Sequence, residues 1–309
     1  MLGRSPCATV TGCPSEILHT TNGGRSFQRI PAPVTVYLTG AGPVGPPTVS
    51  DLRFANALDG WAFGNGAAFV TYDGGRHWYE LNPDWTFLQI EPGANGYVYA
   101  SVEVCATPST TTGCVYSLKR SQAGTDDWAN LAVPGNPPGW PSIGVHGDTI
   151  WVMYFDQSTR TAWVSGDDGH LWNRRSMPCE PDLGGLFDPV STTVIWAFCA
   201  TGMQGDAAVS ANGGAFYTTH EGPGTAFGNG SFVGALSARE AFVAGPGGVE
   251  VTTNAGLSYH TLPQPPAAVW IGFTDSHVGY VISQNQTTLA SQLWRTTNGG
   301  STWTVVSLT

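Results

Sequence analysis

The sequence predicts an all-β protein, a seven-bladed β-propeller of four-stranded antiparallel blades, with the first blade incomplete at its N-terminus. The first observation behind this is composition. The 309 residues include 41 Gly, 22 Pro, 12 Trp, 10 Tyr and 13 Phe, and only 11% are charged. Helical surfaces rely on Glu, Lys, Arg and Ala, whereas this chain has a single lysine, Lys119, so short strands joined by tight turns fit it better. An apolar fraction of 41% excludes a disordered chain.

The second observation is a repeat: Ser or Thr, any residue, Asp or Asn, any residue, Gly, two more residues, then an aromatic. It runs from Thr20 to Phe27, Thr71 to Trp78, Ser165 to Trp172, Ser210 to Tyr217, Thr252 to Tyr259 and Thr296 to Trp303. A seventh copy, Ser121 to Trp128, is degenerate, with Ala123 at the Asp/Asn position and Thr125 at the Gly position. The third observation is the period. The third positions, Asn22, Asp73, Ala123, Asp167, Asn212, Asn254 and Asn298, lie 51, 50, 44, 45, 42 and 44 residues apart, the length of one propeller blade.

Each motif reads as a hairpin turn. Its Asp or Asn oxygen can accept from nearby backbone N–H groups, its Gly can take a positive φ, and its aromatic packs between sheets. The blades then span approximately 1–31, 47–83, 84–133, 140–177, 183–219, 230–263 and 267–309, in one domain. In the second blade VSDLRFANA, GWAFGN, AAFVTYD and HWYELN read as strands A to D, and the sixth and seventh divide the same way. The first blade has no strand A. Aligning it with the third places Cys7 with Cys105 and Cys13 with Cys114, so the chain starts within strand B. Two explanations stand: upstream residues carrying a signal peptide and strand A are missing, or the ring closes in another way.

The repeat resembles the Asp-box, or BNR-repeat, propellers of the sialidase-like superfamily. TTNGGSTW and DGWAFGN look most like the photosystem II assembly and stability factor-like group. The resemblance implies structural roles for Asn22, Asp73, Asp167, Asn212, Asn254 and Asn298. It leaves function open, because the repeat serves both binders and glycoside hydrolases.

A net charge of −10 without a basic stripe gives little support for nucleic-acid or anionic-membrane binding. No apolar run approaches the roughly 18 residues of a membrane span. The six cysteines pair by position as Cys7 with Cys13, Cys105 with Cys114 and Cys179 with Cys199, on the face opposite the motif turns; the alternative is buried free thiols. Three disulfides would place the protein outside the cell or in the cell envelope.

No metal spacing, P-loop or nucleophile elbow occurs, so no cofactor is expected. Arg29-Ile30-Pro31 mimics a sialidase run but follows the first motif, on an outer strand. Arg53, on the innermost strand of blade 2, is better placed for an anion. Asp59, Asp148, Asp188 and Asp275 read as A–B turn residues. The opposite face offers Asp84, Asp156, Glu180, Asp182, Asp206 and Glu221, of which Asp156, Asp182 and Asp206 are the catalytic candidates. It also offers Trp85, Trp140 and Met203. With Asp84, Arg53 and Arg160 these form the candidate ligand-binding set. The leading expectation is a monomeric, non-catalytic propeller recognising a protein or glycan. The alternative is a glycoside hydrolase with paired carboxylates at the channel mouth.

Overall fold

The computed structural model describes residues 2–4, 13–36, 49–64, 66–105, 113–137, 139–156, 159–179, 184–200, 205–222, 232–285, 287 and 290–308. All regular structure among them is β, in seven antiparallel sheets. Among the described residues no helix is long and apolar enough to cross a membrane.

The first sheet has three strands, β1 (Leu2–Arg4), β2 (Cys13–His19) and β3 (Gln28–Val36). Among the described residues this sheet has no fourth strand. The other six are four-stranded and run in chain order. The second comprises β4 (Asp51–Phe54), β5 (Gly60–Gly64), β6 (Ala67–Thr71) and β7 (Tyr79–Glu80). The third comprises β8 (Thr86–Pro92), β9 (Tyr97–Cys105), β10 (Cys114–Gln122) and β11 (Ala129–Asn130). The fourth has β12 (Trp140–His146), β13 (Thr149–Asp156), β14 (Thr159–Ser165) and β15 (Asn173–Arg175). The fifth has β16 (Gly185–Pro189), β17 (Ile195–Ala200), β18 (Gly205–Ser210) and β19 (Thr218–Glu221). The sixth has β20 (Phe232–Ala235), β21 (Ala241–Gly245), β22 (Gly248–Thr252) and β23 (His260–Thr261). The seventh has β24 (Ala268–Phe273), β25 (Gly279–Gln284), β26 (Ser291–Thr296) and β27 (Thr304–Val305).

The chain divides into two compact units, one of Met1–Asp148 with Gly166–Leu171, the other of Thr149–Ser165 with Trp172–Thr309. In both, the second strand of a sheet carries the core. GWAFG and AFVAG are continuous apolar runs rather than alternating ones, as expected of strands covered on both faces. Trp61 fills the first unit's core, and Trp151, Trp196 and Phe242 fill the second's.

The six regular motifs form the predicted turns. Asp73 Oδ1 accepts from the backbone N–H groups of Arg76 and His77, both at 2.9 Å, and Thr71 Oγ1 accepts from Gly75 N at 2.8 Å. Asn22, Asp167, Asn212, Asn254 and Asn298 each accept equivalent backbone bonds. The motif glycine also brings the turn against a neighbouring aromatic. A Cβ on Gly300 would stand 2.4 Å from the Phe242 ring.

One turn assignment is corrected. Asp188 lies inside β16 rather than in an A–B turn, and its Oδ2 accepts from Ala235 N at 2.6 Å. That bond ties the first strand of the fifth sheet to the first strand of the sixth, which explains an acid at a strand position.

Candidate functional site

In the first unit, the opening strands of three successive sheets are joined through side chains. Arg53 on β4 reaches Glu91 on β8 through Nη2 at 3.2 Å and Nε at 3.3 Å, and its Nη1 donates to Leu52 O at 3.0 Å. Gln89 on β8 then pairs with the Ile143 backbone of β12, accepting from N at 2.9 Å and donating to O at 3.3 Å. Burial pushes the Glu91 carboxyl up, and the Arg53 charge partly offsets this. The cost of desolvating Arg53 is outweighed by Glu91, and its guanidinium is held above its ordinary value. Arg53 is therefore already matched to an anion within its own chain. The spacing of 38 residues between the partners gave sequence reading no signal for Glu91.

The second feature of the first unit surrounds Trp85. Asn82 folds the link between β7 and β8 into a turn, its Oδ1 accepting from Asp84 N at 3.0 Å while Trp85 N donates to Asn82 O at 3.2 Å. Asp84 stays exposed. Trp85 turns back and is half-buried, its ring 6.1 Å from that of Phe87, which meets Trp128 edge-on at 5.4 Å. Lys119 Nζ sits 4.1 Å above the Trp85 ring and donates to Asn130 Oδ1 at 2.7 Å. Burial lowers the Lys119 pKa.

Beside this stack lies a cleft of about 330 Å³ lined by Glu80, Leu81, Asn82, Trp85, Asp126, Asp127 and Trp128. It brings together two indoles and three carboxylates from β7, the link after it and the third motif. Burial raises the Asp126 pKa, opposed by a hydrogen bond from the Tyr72 hydroxyl. Sequence reading found Trp85 here but passed over Asp126 and Asp127. Their signal was the degeneracy of their own motif.

The remaining candidates lie on other strands or outside the described residues. Trp140 opens β12 and is half-buried. The backbones of Asp156 and Arg160 lie at the β13–β14 hairpin, where Asp156 pairs with Thr159 and Phe155 with Arg160; their side chains are outside the described residues. Glu180, Asp182 and Met203 also lie outside the described residues. Asp206 on β18 stands directly opposite both Cys199 and Glu221. Arg29 on β3, an outer strand, is ion-paired with Glu16.

Cys105 and Cys114 are bonded across β9 and β10, and Cys179 is bonded to Cys199; the expected bridge from Cys7 to Cys13 is outside the described residues. Glu103 lies beside the first bridge, but two sulfurs bonded to each other offer a metal no thiolate.

No family model matches the sequence, and no curated protein matches it. Solved structures do. YCF48 from Cyanidioschyzon merolae is 15% identical with a TM-score of 0.56, over 85% of this chain and 86% of that one. YCF48 bound to D1 peptide is 15% identical with a TM-score of 0.56, over 84% and 82%. A puromycin-hydrolyzing peptidase from Mycobacterium tuberculosis is 12% identical with a TM-score of 0.59, over 95% of this chain and 50% of that one. Likenesses at these identities speak to architecture alone, and with the sheet order above they establish this chain as a β-propeller.

Proposed function

We propose that this chain is a non-catalytic binding propeller, exported to the cell envelope or beyond, that holds a segment of a partner protein in the cleft between Trp85 and Trp128. The cleft is the observation that carries the reading. Two indoles beside carboxyl and amide groups suit a peptide, whose apolar parts need contact area and whose backbone needs hydrogen-bond partners. The two disulfides among the described residues favour an oxidising compartment. Because the fold is shared with YCF48 bound to D1 peptide, a peptide is the ligand class tested first.

Panning a random peptide display library against the immobilised protein tests this. A family of related peptides should be enriched, and the enrichment should be lost in a folded Trp85→Ala variant. Enrichment of glycans alone on an array, or turnover of a glycoside, would overturn the reading.

One observation favours the hydrolase alternative. Asp206 and Glu221 face each other across β18 and β19, a placement that puts directly opposed Cβ atoms about 5 Å apart. A screen of aryl glycosides with Asp206→Asn as control decides it. Activity present in the parent and absent in the variant would establish a hydrolase.

A further inference from the structure

The third motif has lost the residue that holds the other six turns, yet its turn is formed. Thr125 Oγ1 donates to Gln122 O at 2.8 Å, lies 3.2 Å from Ser121 Oγ and accepts from Asp127 N at 3.4 Å. A hydroxyl has taken over from the missing Asp or Asn side chain. Asp126 and Asp127 occupy positions held by Arg76 and His77 in the second motif, and neither carboxylate is needed to close the turn. Both line the cleft instead, together with Glu80, Trp85 and Trp128, and Asp126 also accepts from the Tyr72 hydroxyl.

We propose that this cleft recognises a basic side chain, arginine above all, presented by the partner segment. The inference rests on the cleft being the binding surface and names the chemistry that fills it. Three carboxylates against one lining-adjacent cation, Lys119, leave the cleft negative, and the chain's net charge of −10 draws basic segments toward it. A flat guanidinium stacks on an indole while its edge bonds a carboxylate, so one group satisfies both kinds of wall. The Trp85 ring already makes one contact of this kind within the chain. The chain's single lysine lies over Trp85.

The test uses two blocked tripeptides, acetyl-Gly-Arg-Gly-amide and its citrulline counterpart, which keeps the shape and removes the charge. Each is titrated into the full chain while the indole N–H signals of Trp85 and Trp128 are followed by NMR. The arginine peptide should shift both signals saturably, and the citrulline peptide should bind about tenfold more weakly or not at all. Asp127→Asn and Glu80→Gln, both at exposed positions, should each weaken the arginine peptide several-fold, and added salt should do the same.

Equal binding of the two peptides would overturn the inference. So would a displayed-peptide consensus that lacks basic residues and is insensitive to Asp127→Asn, and that result leaves the binding reading standing. No enriched peptide and no shift with either probe would remove both.

Discussion

The guanidinium of Arg53 and the carboxylate of Glu91 form an ion pair between the first strands of neighbouring sheets, 3.2 Å apart at the closest approach. The side chains keep 34% and 25% of their surface, so the pair is sheltered without being sealed.

Removing one partner should therefore cost less than the 3–5 kcal/mol typical of a fully buried pair; we expect about 1–3 kcal/mol for Arg53→Ala in urea denaturation. The cost should depend on pH. Without Arg53 the Glu91 carboxyl rises further, so its folded-state pKa lies above the unfolded one. Such a group destabilises the fold when ionised and ceases to do so as pH falls through the folded pKa. The variant should regain stability relative to the parent as pH falls through that raised pKa toward the ordinary carboxylate range. A deficit that stays constant as pH falls would contradict this account.

Asp73 behaves in the opposite sense. Backbone N–H groups, first that of His77, and the His77 side chain hold its pKa well below the ordinary carboxylate range. A lowered pKa contributes stability that is present above the unfolded value and lost as pH falls. Asp73→Asn keeps the acceptor oxygen that Asn22 and Asn298 supply in their own turns. Melting curves should show the variant folded as before near neutrality and less sensitive to acid than the parent. Asp73→Ala should melt lower at every pH.

Ala255 takes a positive φ of 64°, where Gly23, Gly74, Gly213 and Gly299 stand in other motifs. An L side chain is strained there, and Ala255→Gly should stabilise the protein by about 0.5–1 kcal/mol, seen as a raised Tm. No gain, or a loss, would mean that the alanine methyl is worth more to packing than its backbone strain.

At Gly185 the constraint is space. A Cβ there would lie 2.5 Å from Cys179 Sγ and 2.9 Å from Phe198 O. Gly185→Ala should lower the Tm by several degrees and raise the fraction of free Cys179 and Cys199 thiols detected by mass spectrometry. Gly166→Ala is the control, because a Cβ there meets nothing within 4 Å.

What sequence could show depended on whether the determining contact was local. The motif turns were legible because donor and acceptor lie within five residues, as in Thr71, Asp73 and Gly75. Asp188 was misread because an acid before a proline looks like a turn, while its actual partner is 47 residues away. The fate of Trp85 was settled by Lys119 on a different strand, and no pattern around either residue announces the other. Asp126 and Asp127 were visible only as a departure from the repeat. Their meaning came from the cleft they enter.

Lys119 has a practical corollary. The one primary side-chain amine of the chain is 9% exposed, capped by Asn130 and covered by an indole. Amine-directed cross-linkers and biotin esters will find almost no side chain to modify, and acetylation at this position would first require Trp85 to lift away. Tethering for pull-down or surface measurements is better directed at carboxylates, and a Lys119 that becomes reactive would report that the stack over Trp85 has opened.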